Sequence, residues 1–351
     1  MSLNDDIADA QIAHSIGLQR LSTATVRKIV ARLRRSEGRI LARLARDDLS
    51  ALSRARQERL LKDLEAILET VKADTLGRLT IDLEALAEYE VEYQLDLFEN
   101  VAPVRLDFVR PPSSQIVAVV NSRPFQGRFL REWFDEIETG AYRRLRNTIR
   151  GGIVEGRTTD QMIREIRGTA AQGYKDGILN RTRRDVEVVV RTAVAHTAQA
   201  ARTDLYARNS ALIKAVQWTS TLDGRTSAIC RARDNKVFPV DSGPRPPAHP
   251  SCRSSVVPVL KSWREMGLKG LPESTRASMN GQVPADQTYS TWLRKQSVAF
   301  QNEVLGVKKA TLFRRGSVDL DRFVDRAGNE LTLDELRKRE SEAWTKAGLN
   351  S

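Results

Sequence analysis

The sequence predicts a mainly α fold: a long N-terminal helical hairpin, a helical central domain with a small β-hairpin element, and a short α-rich C-terminal tail. Three observations carry this. No proline occurs before Pro103 or between Gln126 and Lys236. Within both spans apolar residues recur three and four apart, the spacing of one helix face. The chain is 29% charged and only 6% aromatic, a mix suited to long solvated helices rather than a β-sandwich. Its 351 residues suffice for two or three structural units. The expected divisions are 1–102 (helical), 103–125 (linker or edge strand), 126–260 (central domain) and 261–351 (tail).

In the first division Val26, Ile29, Val30 and Leu33 form one stripe, continued by Ile40, Leu41 and Leu44. A second series is Leu60, Leu61, Leu64, Ile67, Leu68 and Val71; a third runs from Leu79 to Leu97. Breaks are expected near Asp47–Ser50 and near Gly77. Net charge is +9 from Arg20 to Lys62 and −9 from Asp63 to Asn100. Opposite blocks of this kind suit an antiparallel hairpin, in which exposed pairs set register more than stability. The other reading is that the basic helix faces a phosphate backbone or an acidic partner.

Pro103, Pro111, Pro112 and Pro124 punctuate the second division. The β-branched run Ile116–Val120 between them predicts a strand or an extended linker. Phe129, Trp133, Phe134, Ile137, Tyr142, Leu145 and Ile149 then give an amphipathic helix, with Gly151-Gly152 as its expected end. Thr158-x-x-Gln161 is a capping box for a short helix through Met162 and Ile166. From Thr182 to Asn209 a long helix places Val186, Val189, Val190, Ala193, Val194, Thr197, Ala201 and Leu205 on one stripe. His196, at its edge, is expected as a packed or surface side chain.

Beyond this helix, Ala215–Trp218 reads as a strand, Asp223-Gly224 as a hairpin turn, and Asp234-Asn235 as a second turn before Val237-Phe238. A proline-rich loop follows, and Val256–Val259 returns as a strand. Both cysteines of the chain, Cys230 and Cys252, lie in this stretch with His249. Two cysteines do not make a disulfide framework. No N-terminal signal-like apolar region and no apolar run of about 18 residues is visible. The expectation is a protein kept in a reducing cytoplasm, with no membrane partner.

The ordered motifs W-x-S-x-x-D-x-R-T-S-x-I-C-x-x-x-D-x-K-V-F (Trp218–Phe238) and P-P-x-H-P-x-C-R-S (Pro246–Ser254) resemble the phage head morphogenesis family. These are minor head proteins similar to the Mu F protein and the SPP1 minor capsid protein. The likeness covers roughly Phe125 to Pro258, and the tail is similar to the C-terminal extension of many relatives. The resemblance implies a helical head-morphogenesis domain and a role in virion assembly. Expected partners are the portal protein, the major capsid protein or both, with double-stranded DNA met through its backbone. The expected location is the head interior or portal vertex of the virion, and the host cytoplasm during assembly. The family brings no established catalytic residues, so no enzymatic activity is expected.

Relatives often carry Cys-x-x-Cys and His-Pro-x-Cys-Arg-Cys, a complete soft ligand set for zinc. In this chain Ser227 and Ser254 stand at the first and last cysteine positions. That leaves Cys230, His249 and Cys252, with Asp223 or Asp234 as a weak fourth ligand. The favoured expectation is a clasp with no cofactor: Cys230 and Cys252 pack as small apolar groups, His249 bonds a loop carbonyl, and Asp223 and Arg225 brace the turn, with Arg253 alongside. Rival readings are a metal-dependent nuclease using Asp223, His249 and the cysteines, and a DNA-binding module of the virion.

In the tail, Lys261–Pro284 reads as a linker with a short turn of helix. Thr288 or Ser290 caps a helix through Trp292, Leu293, Val298, Phe300 and Val304, stopped by Gly306. Lys308, Lys309, Arg314 and Arg315 around Leu312-Phe313 are candidate phosphate contacts. Arg326–Asn329 is a turn, and Thr332-x-x-Glu335 caps the last helix.

Overall fold

The computed structural model describes residues 3–102, 107–261, 275–279, 281–284, 287–326 and 328–349. Among these the chain is mainly helical, with twelve α-helices and a small three-stranded antiparallel sheet. It divides into two compact units: Leu18–Tyr89 with Pro112–Ala200, and Met1–Gly17 with Glu90–Pro111 and Ala201–Ser351.

The first of these units is all helical. It takes most of α1 (Leu3–Leu44) and α2 (Arg54–Val101), then α3 (Ser113–Ser122), α4 (Leu130–Val154), α5 (Thr159–Arg167) and the first part of α6 (Ile178–Arg208). The expected break at Asp47–Ser50 is present, where the Asp48 carboxylate accepts from the Ser50 N–H at 3.1 Å and caps a short 3-10 turn. Gly77 is no break: α2 runs through it, because about 1 kcal/mol of lost propensity is small beside the burial of Thr75, Leu79 and Leu83. The basic and acidic helices meet as expected, through Arg32–Asp74 at 3.0 Å and Arg43–Asp63 at 2.8 Å.

Ile116–Val120 is not a strand but the body of α3. Ile116, Val119 and Val120 fall three and four apart and are all buried. Burying such side chains stabilises by about 1.5–3 kcal/mol each, more than the few tenths by which β-branching disfavours a helix. Pro112 opens this helix: its carbonyl accepts from the N–H groups of Gln115 and Ile116. The Pro103 end of the expected linker lies outside the described residues.

Nor does α4 stop at Gly151-Gly152. It continues to Val154 and is released at Gly156, at φ +68°. Gly152 has a packing role instead, since a Cβ there would fall 2.4 Å from the Met162 sulfur of α5. The Thr158–Gln161 capping box that opens α5 forms as read. The predicted stripe of α6 is buried. His196 lies against the Phe125 ring at 5.2 Å. Burial pushes its imidazole down to about 4, so it packs as a neutral ring.

The other unit holds the sheet. β1 (Ile213–Thr219) is central, antiparallel to β2 (Val237–Pro239) on one side and β3 (Ser255–Leu260) on the other. Asp223-Gly224 is not a two-residue hairpin loop: α7 (Ala228–Arg233) sits between β1 and β2, and the turn leads into that helix. Of the expected 261–284 linker, residues 262–274 lie outside the described residues, as does its turn of helix. β4 (Thr275–Ser278) and β5 (Gly281–Pro284) pair as a hairpin in the remainder.

Trp292 and Val304 belong to two helices rather than one. Thr288 caps α8 (Tyr289–Arg294) and Ser297 caps α9 (Val298–Leu305), each accepting from the N–H three residues on. Gly306, at φ +76°, ends α9 and leads into α10 (Val307–Arg315). The expected Arg326–Asn329 turn includes Ala327, outside the described residues; beside it Gly328 has φ +90° and bonds back to the Asp325 carbonyl. Thr332 caps α11 (Leu333–Arg339), which a further helix, α12 (Ser341–Lys346), follows. Trp292, Phe313, Leu320, Phe323 and Trp344 build the core of this tail.

A buried polar network lies in the same unit. The Glu90 carboxylate, 0% exposed, accepts from Arg202 Nε at 2.5 Å and from Gln94 at 2.8 Å, and meets His14 Nε2 at 2.8 Å. Tyr206 donates to Gln94 at 2.7 Å, and Arg202 Nη1 donates to the Ser255 hydroxyl at 2.6 Å. Among the described residues no helix is long and apolar enough to cross a membrane.

Candidate functional site

Ser227 sits just before α7, and its hydroxyl accepts from the Cys230 N–H at 3.4 Å. Cys230 is therefore the third residue of a capped helix and is turned inward. Cys252 lies three residues before β3, in a tight loop closed by its own N–H bonding to the His249 carbonyl at 3.1 Å. Ser251 adopts φ +56° to make that loop.

These two pieces bring three side chains together. The Cys230 and Cys252 sulfurs are 3.6 Å apart, and His249 Nε2 is 3.3 Å from the Cys230 sulfur. The ring's Nδ1 is 2.9 Å from the Pro250 carbonyl, the loop bond expected of it, so Nδ1 carries the proton and Nε2 faces the sulfurs. Cys230 is 2% exposed and Cys252 4%; His249 is half-buried. Trp218 forms the floor, with Arg233 over its ring at 5.3 Å. The Trp218 indole donates to the Ser220 hydroxyl at 3.1 Å, which donates to the Cys230 carbonyl at 2.9 Å.

The sulfurs differ electrostatically. Donation from the Cys230 thiol, with the His249 imidazole beside it, holds Cys252 far below the ordinary thiol range despite burial. The same hydrogen bond, and burial, push Cys230 up. His249 is raised by its bond to Cys252, against the effect of burial.

Residues 143–257 match a family model described as phage Mu protein F like protein. This segment is similar to the Mu F-like phage proteins. No curated protein and no solved structure matches the chain. The Mu F-like segment takes in the end of α4, α5, α6, β1, α7, β2 and the first half of β3.

The carboxylates of the Mu F-like segment do not join the sulfurs. Asp223 is gripped by Arg253, whose two Nη atoms each donate to one carboxylate oxygen at 2.6 Å. Burial pushes the Asp223 carboxyl up, but the Arg253 bonds and charge outweigh this and hold it below its ordinary value. The expected Arg225 brace is weak by comparison: that side chain is 83% exposed and 3.8 Å away, though its backbone N–H donates to Asp223 at 3.0 Å. Asp234 accepts from the Ser220 N–H at 2.8 Å and from the Tyr289 N–H at 2.7 Å. Neither carboxylate is thus the fourth ligand that the sequence left open. Sequence reasoning missed this use of Asp234, because its partner Tyr289 is 55 residues away along the chain.

The four candidate phosphate contacts of the tail do not form one patch. Lys309 pairs with Glu330 at 2.9 Å, and Arg314 donates to the Gln301 and Asn302 side-chain oxygens at 3.2 and 3.1 Å. Lys308 and Arg315, seven residues apart on α10, are exposed. A longer basic row lies on α1, where Arg20, Arg27, Lys28, Arg34, Arg35 and Arg39 are all exposed.

Proposed function

We propose that this chain is a non-enzymatic minor head protein of the virion, docking on the portal protein or the major capsid protein and aiding head assembly, genome packaging or genome delivery. The observation that carries the reading is how the Mu F-like segment uses its chemically capable side chains. Asp223 and Asp234 are committed to Arg253, Ser220 and Tyr289, and both sulfurs are buried. Groups so arranged hold loops in a fixed shape, as a docking surface requires. The protein would reside in the head interior or at the portal vertex, and in the host cytoplasm during assembly.

Heads assembled without this chain are expected to fail in packaging or infection, while His249→Ala protein shows no loss of any bond-breaking activity. Normal packaging and infection by heads lacking the chain would end this reading.

Contact with double-stranded DNA has its own support in α1. Arg20, Arg27 and Arg34 recur every seven residues, about 10.5 Å apart along the helix, with Lys28 and Arg35 beside them. Such a row addresses phosphates and reads no bases. Affinity for any duplex should fall steeply with salt, and Arg27→Ala with Arg34→Ala should lower the slope of log K against log salt by roughly 2, at about 0.9 per phosphate contact. An unchanged slope in the double variant would remove α1 from the contact.

A further inference from the structure

We propose that Cys230, His249 and Cys252 bind one zinc ion, with water in the fourth position. With zinc–sulfur bonds of about 2.3 Å and zinc–nitrogen bonds of about 2.0–2.1 Å, tetrahedral geometry separates two sulfurs by about 3.8 Å and a sulfur from a nitrogen by about 3.6 Å. The observed separations are 3.6 Å and 3.3 Å, and the three ligand atoms all lie within 4.8 Å of one another. Two sides of the triangle therefore match a zinc coordination face to a few tenths of an ångström, and the third lies within 4.8 Å.

The donor set and its support agree with this. Two sulfurs and an imidazole nitrogen are soft to borderline ligands, which zinc accepts and magnesium or calcium does not. The His249 ring is fixed through Nδ1 to the Pro250 carbonyl, and this second bond aims Nε2 at the sulfurs. Cys230 is held by the Ser227 cap and by the Ser220 bond to its carbonyl; Cys252 is held by the loop bond to His249. The ligands are thus placed before an ion arrives. Coordination needs both sulfurs as thiolates and the ring neutral, so metal affinity falls as pH falls.

The fourth position has a definite character. The Ser227 hydroxyl accepts from the Cys230 N–H at 3.4 Å, and the Ser254 hydroxyl donates to the Ser220 hydroxyl at 3.3 Å. Ser254 lies two residues after Cys252, and the Ser220 hydroxyl that it bonds donates in turn to the Cys230 carbonyl, so position 254 borders the Cys230 side of the cluster. A serine hydroxyl is not among the usual zinc ligands, and neither nearby aspartate is free, so water completes the set. A thiol at 254 would take its place.

The test uses the full-length chain purified without chelator. Mass spectrometry of the metal content should find about one zinc per chain, and Co²⁺ exchanged into the site should show sulfur-to-cobalt charge transfer with intense tetrahedral ligand-field bands. Cys252→Ser and His249→Ala should abolish the cobalt spectrum. Ser254→Cys should strengthen zinc binding by about tenfold or more against a chromophoric chelator, because a thiolate replaces water. A folded wild-type chain that retains no zinc and gives no cobalt spectrum overturns the proposal, whatever the variants do. So does a cobalt spectrum that survives loss of His249. The inference concerns the element on which the assembly reading rests, yet the two fail separately. A metal-free chain that still supports head assembly would sink only the zinc site, and a zinc-loaded chain dispensable for assembly would sink only the assembly role.

Discussion

Replacing Arg202 with alanine is expected to destabilise the unit that contains it by about 3–5 kcal/mol, the usual cost of leaving one member of a buried ion pair alone. Arg202 is 2% exposed, and its guanidinium faces a Glu90 carboxylate with no access to water. Burial pushes the Glu90 carboxyl up, but the Arg202 charge and the bonds from His14 and Arg202 outweigh it and hold the group below its ordinary 4.5. A depressed carboxyl contributes stability that is fully present above the unfolded value and is lost as pH falls through the folded one. The wild type should therefore weaken on the acid side of 4.5, and the Arg202→Ala chain, whose Glu90 no longer titrates low, should lose that acid-side slope. Denaturant unfolding at pH 7 and at several lower values measures both. Replacing Glu90 and Arg202 together with leucine should recover most of the loss, because no unpaired charge is then buried. A loss under about 1 kcal/mol in Arg202→Ala would show that the pair is not what holds the network.

Trp218→Ala is expected to cost about 3–5 kcal/mol, the range for deleting a large buried aromatic. Trp218 is fully buried on the central strand and carries the two cysteines above it. Its indole also orients Ser220, which holds the Cys230 carbonyl. The variant should therefore lose both stability and the fixed separation of the sulfurs, read as faster alkylation of Cys230 and Cys252. Trp218→Phe keeps most of the volume but removes the indole N–H; it should lose less stability while still loosening the cysteines. Equal alkylation rates in all three proteins would mean that the loops hold their shape without this floor.

Several elements were legible because their causes are local. The proline-free spans and apolar spacing located α1, α2, α4 and α6, and Thr158 and Thr332 announced their helices by capping boxes. The juxtaposition of Cys230, His249 and Cys252 was legible through motif order. Other elements misled for equally physical reasons. Ile116–Val120 has strand propensity, yet spacing that buries three of its side chains makes it helical. Gly151-Gly152 has the composition of a helix end, yet Gly152 is needed for contact with Met162 inside a continuing helix. Asp223-Gly224 has the dipeptide of a hairpin, yet Ser227 starts a helix before the chain can return.

By itself the sequence determined the mainly helical class, the charge-matched N-terminal hairpin and the likeness of the central segment to the Mu F-like proteins. Each follows from periodicity, capping or ordered motifs, interactions between residues close along the chain. Tertiary structure alone decided that Asp223 belongs to Arg253 rather than Arg225, that Asp234 is occupied by Tyr289, and that Glu90 is buried against Arg202. Those partners lie 30, 55 and 112 residues apart. No local preference encodes such a pairing: a charge finds its partner only once packing has removed the water that would otherwise satisfy it.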